Sequence, residues 1–173
     1  MRGLRAGSDE REKQEMTETL KIVPLNESHI EALAAMEREI FSQPWSEQAF
    51  RDLLARDYCC YLVAELEENA DGETKGKGCP VGVAGMVVLS GEGDIDKVMV
   101  APDARRQGIA DRLLKELLKS GRQQGVTSFT LEVRKSNEAA IRLYEKNGFA
   151  QEGVRPRFYE KPVEDALILW LRQ

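Results

Sequence analysis

The stretch from Val98 to Arg112, VMVAPDARRQGIADR, limits what this chain can fold into more than any other. Val98, Met99 and Val100 read as the end of a buried strand. Pro102 opens a turn that tightens into Arg105-Arg106-Gln107-Gly108, and Ile109 starts an amphipathic run to Leu118. A short basic turn from strand into helix leaves the first helical N–H groups without partners, at the positive end of the macrodipole. Such a terminus is a natural seat for phosphate. Gly108 permits close backbone approach, and Arg105, Arg106 and Arg112 supply positive charge. The turn lacks the Gly-Lys-Ser/Thr ending of a nucleotide-hydrolysing loop and the third glycine of a dinucleotide fingerprint. Two readings stay open on these residues alone: a seat for a pyrophosphate-bearing ligand, or an ordinary strand-to-helix connection.

The flanking segments set the fold class. Leu20 to Leu25 reads as a first strand, with Pro24 suggesting an edge position. Asn26 or Ser28 can cap a helix whose apolar residues are Ile30, Leu33, Ala34, Met36, Ile40 and Phe41. Gln43-Pro44-Trp45-Ser46 breaks it, and Ser46 caps a second helix, Glu47 to Ala55. Tyr58 to Leu66 and Val81 to Leu89 read as strands joined by a long exposed loop, Glu67 to Pro80. A turn at Gly91 to Gly93 leads to a strand from Ile95 to Val100. After the opening helix, with its stripe of Ile109, Ala110, Leu113, Leu114, Leu117 and Leu118, Thr127 to Val133 alternates as a half-buried strand. Ser136 or Asn137 caps a further helix through Lys146, ended by Asn147-Gly148. Phe149 begins a short strand, Arg155-Pro156-Arg157 reads as a basic loop, and Ala166 to Leu171 forms the last strand. Hairpins dominate the first half, while helices alternate with strands in the second. That pattern predicts a mixed α/β (α+β) sheet with helices on both faces, not a doubly wound parallel fold.

At 173 residues the chain should form one domain, residues 20–173, behind a charge-rich extension, residues 1–19, expected to be disordered. The net charge of −5 weighs against nucleic acid and suits a cationic acceptor. Cys59, Cys60 and Cys79 are an odd set with two adjacent members, which points to reduced thiols in a cytoplasmic protein. No spacing suggests a metal site, and His29, the one histidine, reads as a surface residue at a helix start. No apolar run is long enough to cross a membrane, and a monomer is expected.

Two further residues stand out. Glu132 lies on the polar side of an otherwise buried strand, where a carboxylate is either solvated or lines a cleft. Tyr144 follows Asn137 by two helical turns and reads, on residue type alone, as a core aromatic.

Together the motifs VMV, RRQGIA, LEVR, SNEAAI and LYEKNGF, in this order, resemble the GNAT superfamily of acetyl-CoA-dependent N-acetyltransferases. The phrase LEVRKSNEAAIRLYEKNGF, with FSQPWS upstream, resembles more narrowly the RimI-type ribosomal-protein-alanine N-acetyltransferases. The likeness runs from about Leu20 to Leu171. It implies a mostly antiparallel sheet of six or seven strands and a pantetheine arm laid along Val98, Met99 and Val100. It implies a pyrophosphate wrapped by Arg105, Arg106, Gln107, Gly108, Ile109, Ala110 and Asp111, with Asn137 hydrogen-bonded to the cofactor arm. It also implies Glu132 as general base and Tyr144 as general acid. Trp45 would line the acceptor cleft or plug the core between two helices; Tyr159 would contact the acceptor.

The implied chemistry is sound. An α-amine, with a pKa near ~8 against ~10.4 for lysine, needs only a modest base before it attacks a thioester. No cysteine nucleophile or metal is required. The partners implied are acetyl-CoA and a protein N-terminus, in the narrower likeness the N-terminal alanine of a small-subunit ribosomal protein. Two alternatives remain on the sequence: a broader Nα- or small-amine acetyltransferase, and a non-catalytic acyl-CoA-binding module. The chain departs from the resembled pattern in Phe158-Tyr159, where two tyrosines are usual. It departs also at Ala110, where glycine is commoner, and in the length of the 67–80 loop.

Overall fold

A computed structural model of the chain describes residues 20–67 and 78–172. The extension 1–19 and most of the 67–80 loop therefore lie outside the described residues. Seven strands form one sheet: β1 (Leu20–Pro24), β2 (Cys59–Leu66), β3 (Cys79–Leu89), β4 (Glu92–Val100), β5 (Ser128–Arg134), β6 (Ala150–Glu160) and β7 (Val163–Arg172). Their spatial order is β1-β2-β3-β4-β5-β7-β6, and only the β4–β5 pair is parallel. Among the described residues four α-helices cover the sheet: α1 (Ile30–Ile40), α2 (Glu47–Leu54), α3 (Ile109–Gln123) and α4 (Glu138–Lys146).

The period-two pattern of the strands sorts the core into two layers. Cys60, Leu62, Ala64 and Leu66 of β2 face α3, whereas Cys59, Tyr61 and Val63 face α1 and α2. On the first face Leu113, Leu114 and Leu117, all with no exposed surface, join Met86, Ile95, Phe129 and Leu131 in one cluster. On the second, Ile30, Leu33, Ala34 and Phe50 pack against Val63, Val83 and Met99. The expected fold class holds, with helices on both faces.

The predicted caps form. Asn26 caps a single 3-10 turn before α1, Ser46 caps α2 through the Ala49 N–H, and Asn137, not Ser136, caps α4. Gly148, at φ +91°, ends α4.

Four expectations need correction. His29 is not a surface residue: it is 2% exposed, and its Nε2 lies 2.6 Å from Glu65 Oε1. The reach of that carboxylate from β2 turns a helix-start position into a buried link. Arg155-Pro156-Arg157 is not a loop but part of β6. The strand absorbs it through an irregular register between Arg155 and Tyr159, and Arg157 takes φ +53°. β4 starts at Glu92, because Ser90 and Gly91, both at positive φ, make the turn tighter than expected. β7 is longer than Ala166 to Leu171, extended at both ends by pairing with β5 and β6.

Truncating Leu117 to Ala should lower unfolding free energy by roughly 2–5 kcal/mol in urea titrations, while Leu89→Ala, at 72% exposed, should change it by less than about 0.5 kcal/mol.

Candidate active site

The sheet splits where its one parallel pair ends. β4 bonds β3 from Val100 back to Glu92, yet meets β5 only from Glu92–Ser128 to Asp94–Thr130. Beyond Thr130, β5 runs on to Arg134 paired with β7 alone. From Ile95 to Val100 the β5-facing edge of β4 has no ladder. The Ala101 N–H donates to Val81 O at 2.8 Å. By the alternation of an antiparallel ladder, the backbone groups of Val98 and Val100 then turn toward the split, and those of Met99 toward β3. Arg105 Nε donates to Val100 O at 3.2 Å. Such an edge fits an extended ligand carrying amide groups, in the manner of an added strand.

The split leads directly to the basic turn. Arg106, at φ +63°, and Gly108, at φ +78°, are left-handed, and α3 starts at Ile109 with no side-chain cap. The first intrahelical bond is Arg112 N–H to Gly108 O, 3.0 Å. The N–H groups of Ile109, Ala110 and Asp111 precede it and face the turn, with exposed Arg105 and Arg106 beside them. Gln107 donates from Nε2 to Asp103 O at 3.3 Å, but its Oε1 is buried without a partner. Such a cluster of unpartnered N–H groups beside two arginines can receive an anion.

Not every expected residue offers its side chain. The Asp111 carboxylate accepts from Lys115 (2.8 Å), Lys146 (3.1 Å) and Asn147 (2.8 Å), which ties the start of α3 to the end of α4. Desolvation works against the ionised form, but these hydrogen bonds together outweigh it and hold the carboxyl down at about 2. Arg112 reaches back to Leu20 O at 3.2 Å, and Asn137 Oδ1 is engaged with Ala140 N–H.

Above the split, on the α1/α2 face, two walls converge. One is the segment from Phe41 to Ser46 that joins α1 to α2, and the other is the tip of the β6–β7 hairpin. Ser42 Oγ donates to Lys161 O at 2.7 Å, joining the walls. Arg134, at the end of β5, donates to Lys161 O and Pro162 O, both at 3.1 Å, and pairs with Glu164. Its guanidinium also lies 4.1 Å from the centre of the Tyr159 ring. Tyr159 O–H, from β6, donates to the Glu132 carbonyl of β5 at 3.3 Å, so the expected acceptor residue reaches the expected base across the intervening strand. The Glu132 carboxylate, on the α1/α2 face, sits 3.1 Å from the exposed Arg155 guanidinium.

Tyr144 lies on the other face of the sheet. It is buried in the α3 layer, edge-on to Phe149 with 5.8 Å between ring centres. Desolvation, and then the nearby Tyr159, push its phenol above the ordinary tyrosine range. Tyr144 is thus the core aromatic that its residue type suggests. Trp45 does more than one thing: it packs on Phe50 and Tyr61 while forming part of the wall.

Several site residues escaped the sequence reading. Tyr61 lies flat across Gly85, where a Cβ would come within 2.0 Å of its ring, and its O–H donates to Asp96 at 2.5–2.6 Å. Asp96 is open to solvent yet crowded by the surrounding walls; that desolvation, opposed by Tyr61 and Lys97, pushes its carboxyl up to about 6. Glu37 and Lys97 form a buried pair beneath Trp45. The polar alternation of Asp94 and Asp96 was visible in the sequence, but nothing there placed them under a cleft.

The sequence pattern of the Acetyltransferase (GNAT) family matches residues 30–149. This chain belongs to that family. Its acetyl donor is acetyl-CoA, and the enzyme is an acetyl-CoA-dependent N-acetyltransferase. Among its relatives is the [ribosomal protein bS18]-alanine N-acetyltransferase of Escherichia coli K12, 34% identical over 87% of this chain and 95% of that protein. Another is the N-alpha-acetyltransferase RimI of Mycobacterium tuberculosis, 33% identical over 88% of this chain and 92% of the relative. The crystal structure of the Escherichia coli ribosomal-protein-S18-alanine N-acetyltransferase superposes with a TM-score of 0.74 at 29% identity, covering 88% of this chain and 93% of that one. In this GNAT enzyme, no helix among the described residues is long and apolar enough to cross a membrane, and no group of side chains there is arranged to hold a metal ion.

Asp111→Asn tests the α3–α4 tie. A carboxyl whose folded pKa is depressed stabilises above its unfolded value, near 3.9, and that stability fades as pH falls through about 2. Thermal unfolding should show the variant about 1 kcal/mol less stable at pH 7, after allowance for solvent screening, with the gap closing between pH 4 and pH 2.

Proposed function

We propose that this enzyme transfers the acetyl group to the N-terminal α-amine of a protein, the N-terminal alanine of a small-subunit ribosomal protein being the target. The observation that carries the reading is the split itself, with the Glu132 carboxylate on the α1/α2 face and the Tyr144 phenol on the opposite face of the same strands. The names of relatives at about one-third identity support the same acceptor.

Acetyl-CoA brings the activated carbonyl and carries away a thiolate. In this reading Val98, Met99 and Val100 border its pantetheine arm, with the Val98 backbone groups turned toward it. Arg105, Arg106, Gln107, Gly108, Ile109, Ala110 and Asp111 hold the pyrophosphate, mostly through backbone N–H groups. Asn137, whose Oδ1 caps α4, meets the arm through its amide nitrogen. Glu132 takes the proton from the incoming ammonium, directly or through one water, and the free amine attacks. The Val98 N–H stabilises negative charge developing on the carbonyl oxygen. Tyr144 protonates the departing sulfur, whose conjugate acid has a pKa near ~8.5, as the C–S bond breaks, and the surplus proton of the acylated nitrogen restores the phenol through solvent. Burial holds the phenol's pKa above that of the thiol, so Tyr144 rests protonated beside the sulfur and gives up its proton only together with loss of the nitrogen's surplus proton. Trp45 and Tyr159 border the acceptor, and the carboxylates of Asp94, Asp96 and Glu132 give it an acidic approach suited to a cation. A cytoplasmic setting, with three free cysteines, accords with such a target.

Steady-state assays with acetyl-CoA and peptides beginning Ala, Ser or Met test the reading. Ala peptides should be preferred, and free polyamines should be poor acceptors; turnover of a free amine with indifference to all three peptides would sink it. Glu132→Gln should lower kcat by roughly 10²–10⁴-fold, and Tyr144→Phe by about 10²-fold. Unchanged kcat in both would remove the acid–base roles.

A further inference from the structure

Two opposite charges occupy places that the hydrophobic pattern reserves for apolar side chains. Glu37 sits on the inward stripe of α1, after Leu33 and Ala34 and before Ile40, and is completely buried. Lys97 is 8% exposed on β4, and its Nζ lies 2.7 Å from Glu37 Oε1. Taking such a pair out of water costs about as much as its attraction returns, so burial of this kind is a poor route to stability. Its value lies in what it fixes.

What it fixes is the wall between α1 and α2. Glu37 Oε2 accepts the Trp45 N–H at 3.1 Å. The Lys97 ammonium lies 3.7 Å from the centre of the Trp45 ring and 4.8 Å from that of Phe41. One desolvated cation thus gathers two rings of the wall, while its carboxylate partner holds the backbone between them. Lys97 also adjoins Val98, whose backbone groups turn into the split. The side chain of one residue sets the wall, and the main chain of the next borders the donor.

We propose that Glu37 and Lys97 are positioning residues that hold the acceptor wall in register with the open edge of β4. This rests on the reading that Trp45 and its neighbours border the acceptor. The pair touches no reacting atom. It sets how the wall receives the acceptor, so that losing it weakens acceptor binding and leaves the donor's site as it was.

The test uses the full chain carrying E37Q and K97M together, which removes both charges while keeping volume, alongside K97R. The melting temperature of the paired variant should stay close to the parent's and the acetyl-CoA KM should be unchanged. Its acceptor-peptide KM should rise about tenfold, equivalent to 1.4 kcal/mol, and K97R should recover part of the loss. An acceptor KM within about twofold of the parent, or both KM values rising together, would overturn the proposal. A second readout needs no acceptor. The protein has two tryptophans, so Trp170→Phe leaves Trp45 as the sole tryptophan, excited on the red edge where tyrosine does not absorb. Acrylamide should quench Trp45 more strongly in the paired variant, and equal quenching would overturn the clamp. If the parent turns over no N-terminal peptide, the acceptor reading fails, while the quenching result still decides whether the pair holds the wall.

Discussion

The packing of α3 across the sheet carries the rest of the structure. β4 and β5 share only three paired positions, so hydrogen bonding alone joins the halves of the sheet weakly. Leu113, Leu114, Leu117 and Leu118 lie in one cluster with Met86 and Ile95 on one side of the divide and Phe129 and Leu131 on the other. Burial of these side chains, about 1.5–3 kcal/mol each relative to exposure, holds the strands where their ladders do not. The same helix begins at the uncapped turn after β4. Its far stripe stabilises the fold and, in the proposed function, its first N–H groups meet the donor, so one helix serves both core and site.

On the opposite face the diverging strands are joined again, this time by polar contacts. From β4, Lys97 reaches Trp45 and Glu37; the same wall reaches Lys161 through Ser42; and Lys161 is held by Arg134 of β5. The links form a span over the split in which each contact depends on a different element. An apolar bridge would close the cleft; a chain of hydrogen bonds and a cation on aromatic rings leaves room beneath while fixing the edges.

Much of this was legible in the residues. The α3 stripe, the alternation of β5 and the caps at Asn26, Ser46 and Asn137 follow from local rules, because neighbouring residues decide them. The turn at Gly108 was legible for the same reason. His29 was misread since its partner, Glu65, is far along the chain and arrives only through the pairing of β1 with β2. The β6 extension was misread because proline and arginine weigh against a strand locally, whereas the partner β7 decides it. Glu37 and Lys97 left a trace: charges of opposite sign, each on an inward position of an otherwise apolar pattern. Tyr61 and Asp96 left none, since their meeting depends on a bulge between β3 and β4 and on the bare backbone of Gly85.

The divided sheet has a thermodynamic side. A strand edge in the middle of a protein, with main-chain groups that want partners, is an opening that other chains can join. Whatever ligand lies along that edge binds the folded chain and not the unfolded one, and so stabilises it by mass action, about 2.7 kcal/mol at a hundred times its dissociation constant. Under the proposed function the donor is thus also a folding partner. With the donor seated as proposed, the stability of the fold rises with the supply of its substrate, through one missing strand.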